Sequence, residues 1–188
     1  GRFHGARAAG AGPGFGPKPP TMEPQSGPLQ TTIFPYSEPD CSSSGTNFHL
    51  VWLYDDPARG TNNRTMAVFS CYNGTDWTEP VAVAGDGTAD FHPQVLTFAD
   101  GWAVCAWENE QVVLPDNASF DSMKTHLEVA AAWFNGQTAA WLPMHSFTTN
   151  GWLDRSPKLA GRSRDNVLLV WVANPTSHIT GTASEPNL

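Results

Sequence analysis

One stretch of this chain occurs twice, and the repeat constrains the fold more than any other feature. Residues 77–107 align with residues 141–171 without a gap, at a shift of 64 positions. The matched landmarks are Trp77 with Trp141, Gly87 with Gly151, Asp90 with Asp154, Pro93 with Pro157 and Trp107 with Trp171. A partial third copy has Pro39 and Trp52. A repeat of this length predicts structural units that stack on their neighbours.

Strand-length apolar runs recur within each copy. They are rich in Val, Leu and aromatic residues and are bounded by turn residues, which predicts β-strands. The runs are HLVWLY (49–54), MAVFSCY (66–72), WAVCAW (102–107), LEVAAAWF (127–134) and NVLLVWV (166–172). The Ala-rich run at 127–134 is also predicted as a strand, because it is short and ends in the hairpin signal Asn135-Gly136.

The repeat predicts an all-β fold of about two and a half four-stranded antiparallel sheets, which have the dimensions of propeller blades. The units cover about 30–84, 91–148 and 155–188, and the last one is incomplete. Each begins with a strand led by Pro, and the Trp residues are expected between the units. Residues 1–28 are rich in Pro, Gly and Ala, which predicts a linker or an extended arm ahead of the repeat region 29–188.

Over about residues 30–172 the chain resembles the blades of sialidase-like and lectin-type β-propellers. The shared pattern is a hairpin of the form Pro, apolar, turn, apolar-x-Trp, followed by an aromatic-Asn-Gly-x-Trp hairpin. The third-to-fourth-strand turns read YNGTDW and FNGQTAAW, which keep the aromatic and Trp positions of the sialidase Asp-box without its Ser and Asp. The resemblance therefore implies the architecture and does not supply the sialidase catalytic residues.

An unfinished third unit would leave an open sheet edge, which isolated domains avoid. Two explanations stay open. The chain is part of a larger polypeptide, or it completes its sheets with neighbours, by strand or arm exchange in a homo-oligomer or filament.

Charge and sequons indicate the environment. The formal net charge of −8 argues against nucleic acid as a partner. No apolar run reaches the roughly 20 residues of a membrane-spanning helix. Three glycosylation sequons, at Asn63, Asn73 and Asn117, fall in turn-rich stretches and support a secreted or cell-surface glycoprotein.

Acidic residues at repeated positions are the candidates for catalysis. Asp90 and Asp154 each precede a Pro by three residues, and in a propeller both carboxylates would face the central channel. There they would serve acid–base chemistry on a glycosidic bond or bind calcium; the alternative is a turn role for both. His92 is interpreted as structural, with an imidazole positioned by Asp90 as the alternative. Glu108 and Glu110 are interpreted as residues of a solvated loop, with a general acid as the alternative.

Two further sets of residues are singled out. Trp102 and Trp152 lack Trp at the equivalent repeat positions and are the candidates for exposed sugar-stacking side chains. Cys71 and Cys105 lie on strands of successive units that are expected to face each other, which suits either a disulfide or buried free thiols. Cys41 is left for a crosslink between chains.

The sequence favours a binding or structural-assembly module that contacts glycan or protein surfaces outside the cell, with no cofactor. The alternatives are a propeller glycoside hydrolase or lyase that uses the repeated Asp residues, and a subunit of an extracellular filament. Because no catalytic motif is complete, binding is favoured over catalysis.

Overall fold

The computed structural model describes residues 28–178, which form three antiparallel sheets in chain order. The first sheet contains β1 (Asp40–Ser44), β2 (Asn47–Asp55), β3 (Thr65–Tyr72) and β4 (Val81–Ala82). The second contains β5 (Asp90–Thr97), β6 (Ala103–Glu110), β7 (Leu127–Asn135) and β8 (Ala140–Trp141), and β9 (His145–Ser146) also pairs with β7. The third is the hairpin of β10 (Leu153–Ser163) and β11 (Asn166–Asn174).

The connections are mostly turns. A 3₁₀ turn, Thr61–Asn63, joins β2 to β3, and a short helix α1 (Phe120–Lys124) joins β6 to β7. The predicted all-β antiparallel fold is confirmed, and all five predicted runs lie in strands apart from Trp102, which precedes β6. The Ala-rich run is strand β7. The predicted arm, except for residue 28, and the end of the third unit beyond residue 178 lie outside the described residues.

The sheets pack face to face. Alternate residues of β6 point to opposite sides, so one strand contributes to two cores. Its odd-numbered residues meet the first sheet in a core that includes Val51, Phe69, Val95, Cys105 and Trp107. Its even-numbered residues meet the third sheet in a core formed by Val104, Ala106, Phe98 and Ala131, with Leu159, Val167 and Leu169 packed against it.

Side-chain oxygens that accept hydrogen bonds from main-chain amides link successive sheets. Asp40 of β1 accepts from the Val95 amide at 2.8 Å, and Asp90 of β5 accepts from the Ala67 amide at 2.9 Å. Glu108 of β6 accepts from the Ser156 amide at 2.7 Å. Because each bond joins a side chain to the backbone of a neighbouring sheet, these contacts position the sheets relative to one another.

The repeat extends to an irregularity of the backbone. A register shift falls between Phe91 and Gln94 in β5 and at the equivalent place between Arg155 and Lys158 in β10. His92 and Ser156, which are equivalent, both have positive φ, 47° and 56°. Pro93 and Pro157 follow them and are fully buried. The expectation that these prolines lead their strands is therefore wrong, because each lies inside its strand at a bulge, where a missing N–H costs no ladder bond.

The third sheet is less covered than the first two. Trp52 and Trp107 are fully buried, whereas the equivalent Trp171 is 37% exposed. Within residues 28–178, β11 pairs only with β10. The third unit therefore stops at its first hairpin over the described residues.

Candidate functional site

Buried acidic side chains collect at one end of the second and third sheets. This end, called the carboxylate end below, is where β5, β7 and β10 begin and β6 finishes. Its buried acids are Asp90, Glu108, Glu110, Glu128 and Asp154. The antiparallel register places Asp90, Asn109 and Glu128 directly opposite one another across three strands.

Both oxygens of the Asp90 carboxylate accept hydrogen bonds. Its Oδ2 accepts from the Ala67 amide, and its Oδ1 accepts from Asn109 Nδ2 at 3.1 Å. Burial raises the pKa of Asp90 to about 7, against the opposing effect of these hydrogen bonds and with a further contribution from the nearby charge of Asp86. Asp90 therefore connects the first two sheets and is fully enclosed.

Asp154 occupies the equivalent position without equivalent partners. The residue opposite it in the register is Ala173, where Asp90 faces Asn109. Val129 is the residue equivalent to Ala67, whose amide donates to Asp90. The Val129 amide instead donates to Thr148 Oγ1 at 2.9 Å and is not free to bond to Asp154. Asp154 is fully buried, and among residues 28–178 neither of its oxygens has a hydrogen-bond partner. The expectation that Asp90 and Asp154 face an open channel does not hold for this chain, since both lie between sheets.

Glu108 is the centre of a polar junction between the second and third sheets. Its Oε1 accepts from the Ser156 amide, lies 3.0 Å from His92 Nδ1 and lies 3.5 Å from Arg155 Nε. The contact with Glu108 raises the pKa of His92. Assigning Glu108 and Glu110 to a solvated loop was wrong, because both lie in β6 and are buried.

Glu110 lies near the imidazole of His126. Its Oε1 is 3.8 Å from His126 Nδ1, and within the described part of the chain neither carboxylate oxygen has a hydrogen-bond partner. Burial raises the pKa of Glu110 to about 8. At neutral pH the side chain is therefore mostly protonated, and it can donate a proton.

An open cleft of about 310 Å³ lies beside the carboxylate end. Its lining comes from five separate segments of the chain: Phe34, Pro35, Asp55, Thr61, Asn62, Arg64, Thr65, Phe91 and Met123. Arg64 holds Asp55 through two hydrogen bonds, Nε to Oδ1 at 2.8 Å and Nη2 to Oδ2 at 2.9 Å. The hydroxyl of Thr65 is buried and has no hydrogen-bond partner within residues 28–178. Sequence reasoning missed this cleft, because its walls are far apart in the chain.

The two Trp candidates lie at opposite ends of the sheets. Trp152 immediately precedes β10 at the carboxylate end and is 42% exposed. Trp102 immediately precedes β6 at the other end, where the Arg164 guanidinium lies 4.8 Å from its ring centroid. The two rings therefore do not form one surface, and neither lines the cleft.

The cysteines are not paired. Cys71 lies near the Thr78 hydroxyl, with Sγ 3.7 Å from Oγ1, while Cys105 is enclosed in the core between the first two sheets. The disulfide between Cys71 and Cys105 is therefore not formed in this structure, and both are free thiols, which was the alternative. Cys41 is free and exposed.

The sequons differ in their surroundings. Asn73 and Asn117 are exposed. Asn63 is buried; its Nδ2 donates to the Leu114 carbonyl at 2.7 Å and its Oδ1 accepts from the Leu114 amide. Since a glycan is attached through Nδ2, Asn63 is unsuited as an acceptor in the folded chain, contrary to expectation.

No family model, curated protein or solved structure matches this chain. Within residues 28–178 no helix has the length and apolar character needed to cross a membrane. The same residues contain no cluster of three or more His, Cys, Asp or Glu side chains arranged to hold a metal ion.

Proposed function

We propose that this chain is an extracellular, β-propeller-like binding module that holds a glycan in the cleft beside the carboxylate end. The observation that carries the proposal is the mixed lining of that cleft, in which Phe34 and Phe91 share one concave surface with Asp55, Asn62 and Arg64. Ligand sites combine apolar walls with a few fixed polar groups in this way, and their volumes begin at roughly 300 Å³.

A sugar ring suits this lining for a physical reason. Its C–H face packs on an aromatic side chain, while its hydroxyls both donate and accept hydrogen bonds. The Asp55 carboxylate accepts and the Arg64 guanidinium donates. The two hydrogen bonds between Arg64 and Asp55 hold these groups in place before a ligand arrives, which lowers the ordering cost of binding.

The propeller-like and extracellular parts of the proposal have separate support. Antiparallel sheets that stack in chain order and repeat a large aromatic residue at an equivalent position are typical of blade repeats. The exposed sequons at Asn73 and Asn117 support passage through the secretory pathway. When the chain is expressed in secreting cells, treatment with a glycosidase should lower its mass. The same treatment should leave the mass of the Asn73→Gln, Asn117→Gln double variant unchanged.

Calorimetric titration against a panel of mono- and oligosaccharides tests the cleft. Phe91→Ala should weaken binding by at least about tenfold, because an aromatic wall is lost. Phe120→Ala is the matched control, since Phe120 is 61% exposed and lies outside the cleft. Absence of binding across the panel, or equal affinity of Phe91→Ala and the parent chain, would refute the glycan site.

The second candidate is a glycoside hydrolase or lyase. The observation in its favour is that two buried carboxyl groups lie at the same end as the cleft and have no hydrogen-bond partner among the described residues; they are Asp154 and Glu110. Reducing-sugar release from the same panel tests it: turnover by the parent chain that Asp154→Asn abolishes would favour the enzyme. Binding without turnover would favour the module.

A further inference from the structure

The edge strand of the second sheet is covered by side chains of the first. The Val95 amide of β5 donates to Asp40 Oδ2 at 2.8 Å. Two residues further along, the Thr97 amide donates to Ser42 Oγ at 3.0 Å. Both acceptors belong to β1. The amides that β5 directs away from β6 are therefore satisfied, and a covered edge does not pair with a further strand.

The equivalent amides of β10 are those of Leu159 and Gly161. Leu159 pairs with Leu169, and the equivalent pair in the second sheet is Val95 with Cys105, so the register repeats. Leu159 and Gly161 therefore direct their N–H and C=O groups away from β11, as antiparallel geometry requires of alternate residues. Among residues 28–178 neither amide has an acceptor on that side, and β10 pairs only with β11.

The residues of β5 explain why this edge is open. Gln94 and Leu96 occupy the positions that Asp40 and Ser42 hold in β1. Leu96 has no side-chain oxygen. Gln94 Oε1 accepts from Lys158 Nζ at 2.9 Å and from no main-chain amide of β10. The preceding sheet therefore leaves uncovered in β10 the amides that it covers in β5.

Uncompensated positive charge accompanies the open edge. β10 carries Lys158 and Arg162, and neither forms an ion pair with a described residue. Because Gln94 is neutral, its hydrogen bond leaves the charge of Lys158 uncompensated. The edge strands β1 and β5 contain neither Lys nor Arg. On a chain of formal net charge −8, a local group of cations at one edge favours an acidic partner.

A groove lies beside the same part of β10. It has an open volume of about 390 Å³ and is lined by Ala160, Gly161, Arg162, Asn166 and Leu168. Ala160 lies between the two basic residues, and its small side chain leaves Leu168 60% exposed. An apolar side chain held next to Ala160 can therefore contact Leu168.

We propose that the open edge of β10 binds an extended acidic peptide segment as an added antiparallel strand. The main chain of the segment bonds to Leu159 and Gly161, while alternate side chains lie next to Lys158, Ala160 and Arg162. The segment that fits has two acidic residues four positions apart, which pair with the two cations, and an apolar residue midway between them, which enters the groove.

Fluorescence polarisation of labelled peptides with the whole chain tests the proposal. The probe is the blocked peptide TETFTET, which should bind saturably and more weakly as salt is added. The matched control TTEFETT has the same composition and charge but places both acidic residues on the opposite face of the added strand. It should bind at least about tenfold more weakly.

Variants of the chain locate the binding site. The Lys158→Gln, Arg162→Gln double variant should bind TETFTET at least about fivefold more weakly, because both cross-strand charge pairs are lost. The Lys124→Gln, Arg164→Gln variant is the matched control. It removes the same charge, but Lys124 lies in α1 and Arg164 lies over the Trp102 ring. Its affinity should equal that of the parent, and near-ultraviolet circular dichroism should show that both variants keep the parent fold.

N-methylation of the peptide distinguishes strand addition from attraction between charges alone. Methyl groups on the two Thr amides next to Phe block donors that face β10 and should abolish binding. Methyl groups on the two Glu amides point away from β10 and should leave the affinity within about threefold. Absence of saturable binding, equal affinity of TTEFETT, or an equal effect of both methylation patterns would overturn the proposal. None of these results bears on saccharide binding by Phe91 in the cleft.

Discussion

At the scale of single residues, equivalent positions have different hydrogen-bond partners in successive units. Asp90 bonds to Ala67 and Asn109, whereas Asp154 faces Ala173 and lacks hydrogen-bond partners within the described chain. A buried polar group that has no hydrogen-bond partner costs free energy. The unit at 153–174 therefore keeps the position of the acid without the hydrogen bonds that Asp90 makes.

The pH dependence of stability tests the cost of burying the Glu110 carboxylate. Its folded pKa is raised to about 8 from 4.5, so the folded state binds a proton more tightly than the unfolded state between those values. The contribution of Glu110 to the free energy of unfolding is therefore present below about pH 4.5 and falls as the pH rises towards 8. Glu110→Gln should be more stable relative to the parent at pH 8 than at pH 5. Denaturant unfolding of both proteins at the two pH values measures this, and an equal difference at both would contradict the pKa.

The same acidic residues show how far the position of a single side chain can be predicted from the sequence. The repeat aligned Asp90 with Asp154 and placed both ahead of their strands, whereas they lie inside β5 and β10, near the start of each. Glu108 and Glu110 were misassigned, because charged residues inside a strand contradict its apolar pattern. Their burial depends on contacts with His92, Arg155 and His126, which come from other strands and loops.

At the scale of elements, the repeat is found in the hairpins and in the turns that close them. Gly74 and Gly136 close equivalent turns but are constrained differently. Gly74 has φ +101° and open space around it. A Cβ on Gly136 would clash with the Gly101 carbonyl oxygen, so two turns of the second sheet approach as closely as only Gly allows.

Gly136→Ala should therefore lower the free energy of unfolding by about 1–3 kcal/mol, as overpacking against backbone does. Gly85→Ala is the control, because Gly85 has nothing within 4 Å of the added Cβ and no positive φ. Its stability should be unchanged or slightly increased. Thermal unfolding of the two variants measures this difference. A similar loss of stability in both would be evidence against the close approach of the two turns.

The bulge at Ser156 allows a second test at this scale. Ser156→Gly keeps the amide that donates to Glu108 and tolerates φ of 56°, so its stability should stay within about 1 kcal/mol of the parent. Ser156→Pro removes that amide and forces a negative φ, and it should cost about 3 kcal/mol or more. Urea midpoints report both, and a tolerated Pro would mean that the bulge does not hold the third sheet in place.

At the scale of the whole molecule, the three sheets are unequally supported. The first two share a large aromatic and aliphatic core, whereas β11 is largely exposed over the described residues. Periodicity predicted the all-β antiparallel fold of the described residues, because each hairpin has a local signature. The cleft and the open edge of β10 could not be predicted, since they depend on how separate segments meet.

Hydrogen exchange should show that the third sheet is less protected than the second. Amides of β11 should exchange faster than those of β6 and β7, because regions with few buried contacts open at lower free energy. Mass spectrometry of exchanged peptides from 166–174 and 103–110 measures the difference at low protein concentration. Equal protection would show that the three sheets unfold as one cooperative unit.

The hydrogen bonds between sheets, in which Asp40, Asp90 and Glu108 accept from main-chain amides, have an evolutionary consequence. Every residue except Pro supplies such an amide, so these bonds tolerate changes of side chain in the neighbouring hairpin. A hairpin that replaced its neighbour would therefore dock if it kept the backbone path and the apolar face that packs between the sheets.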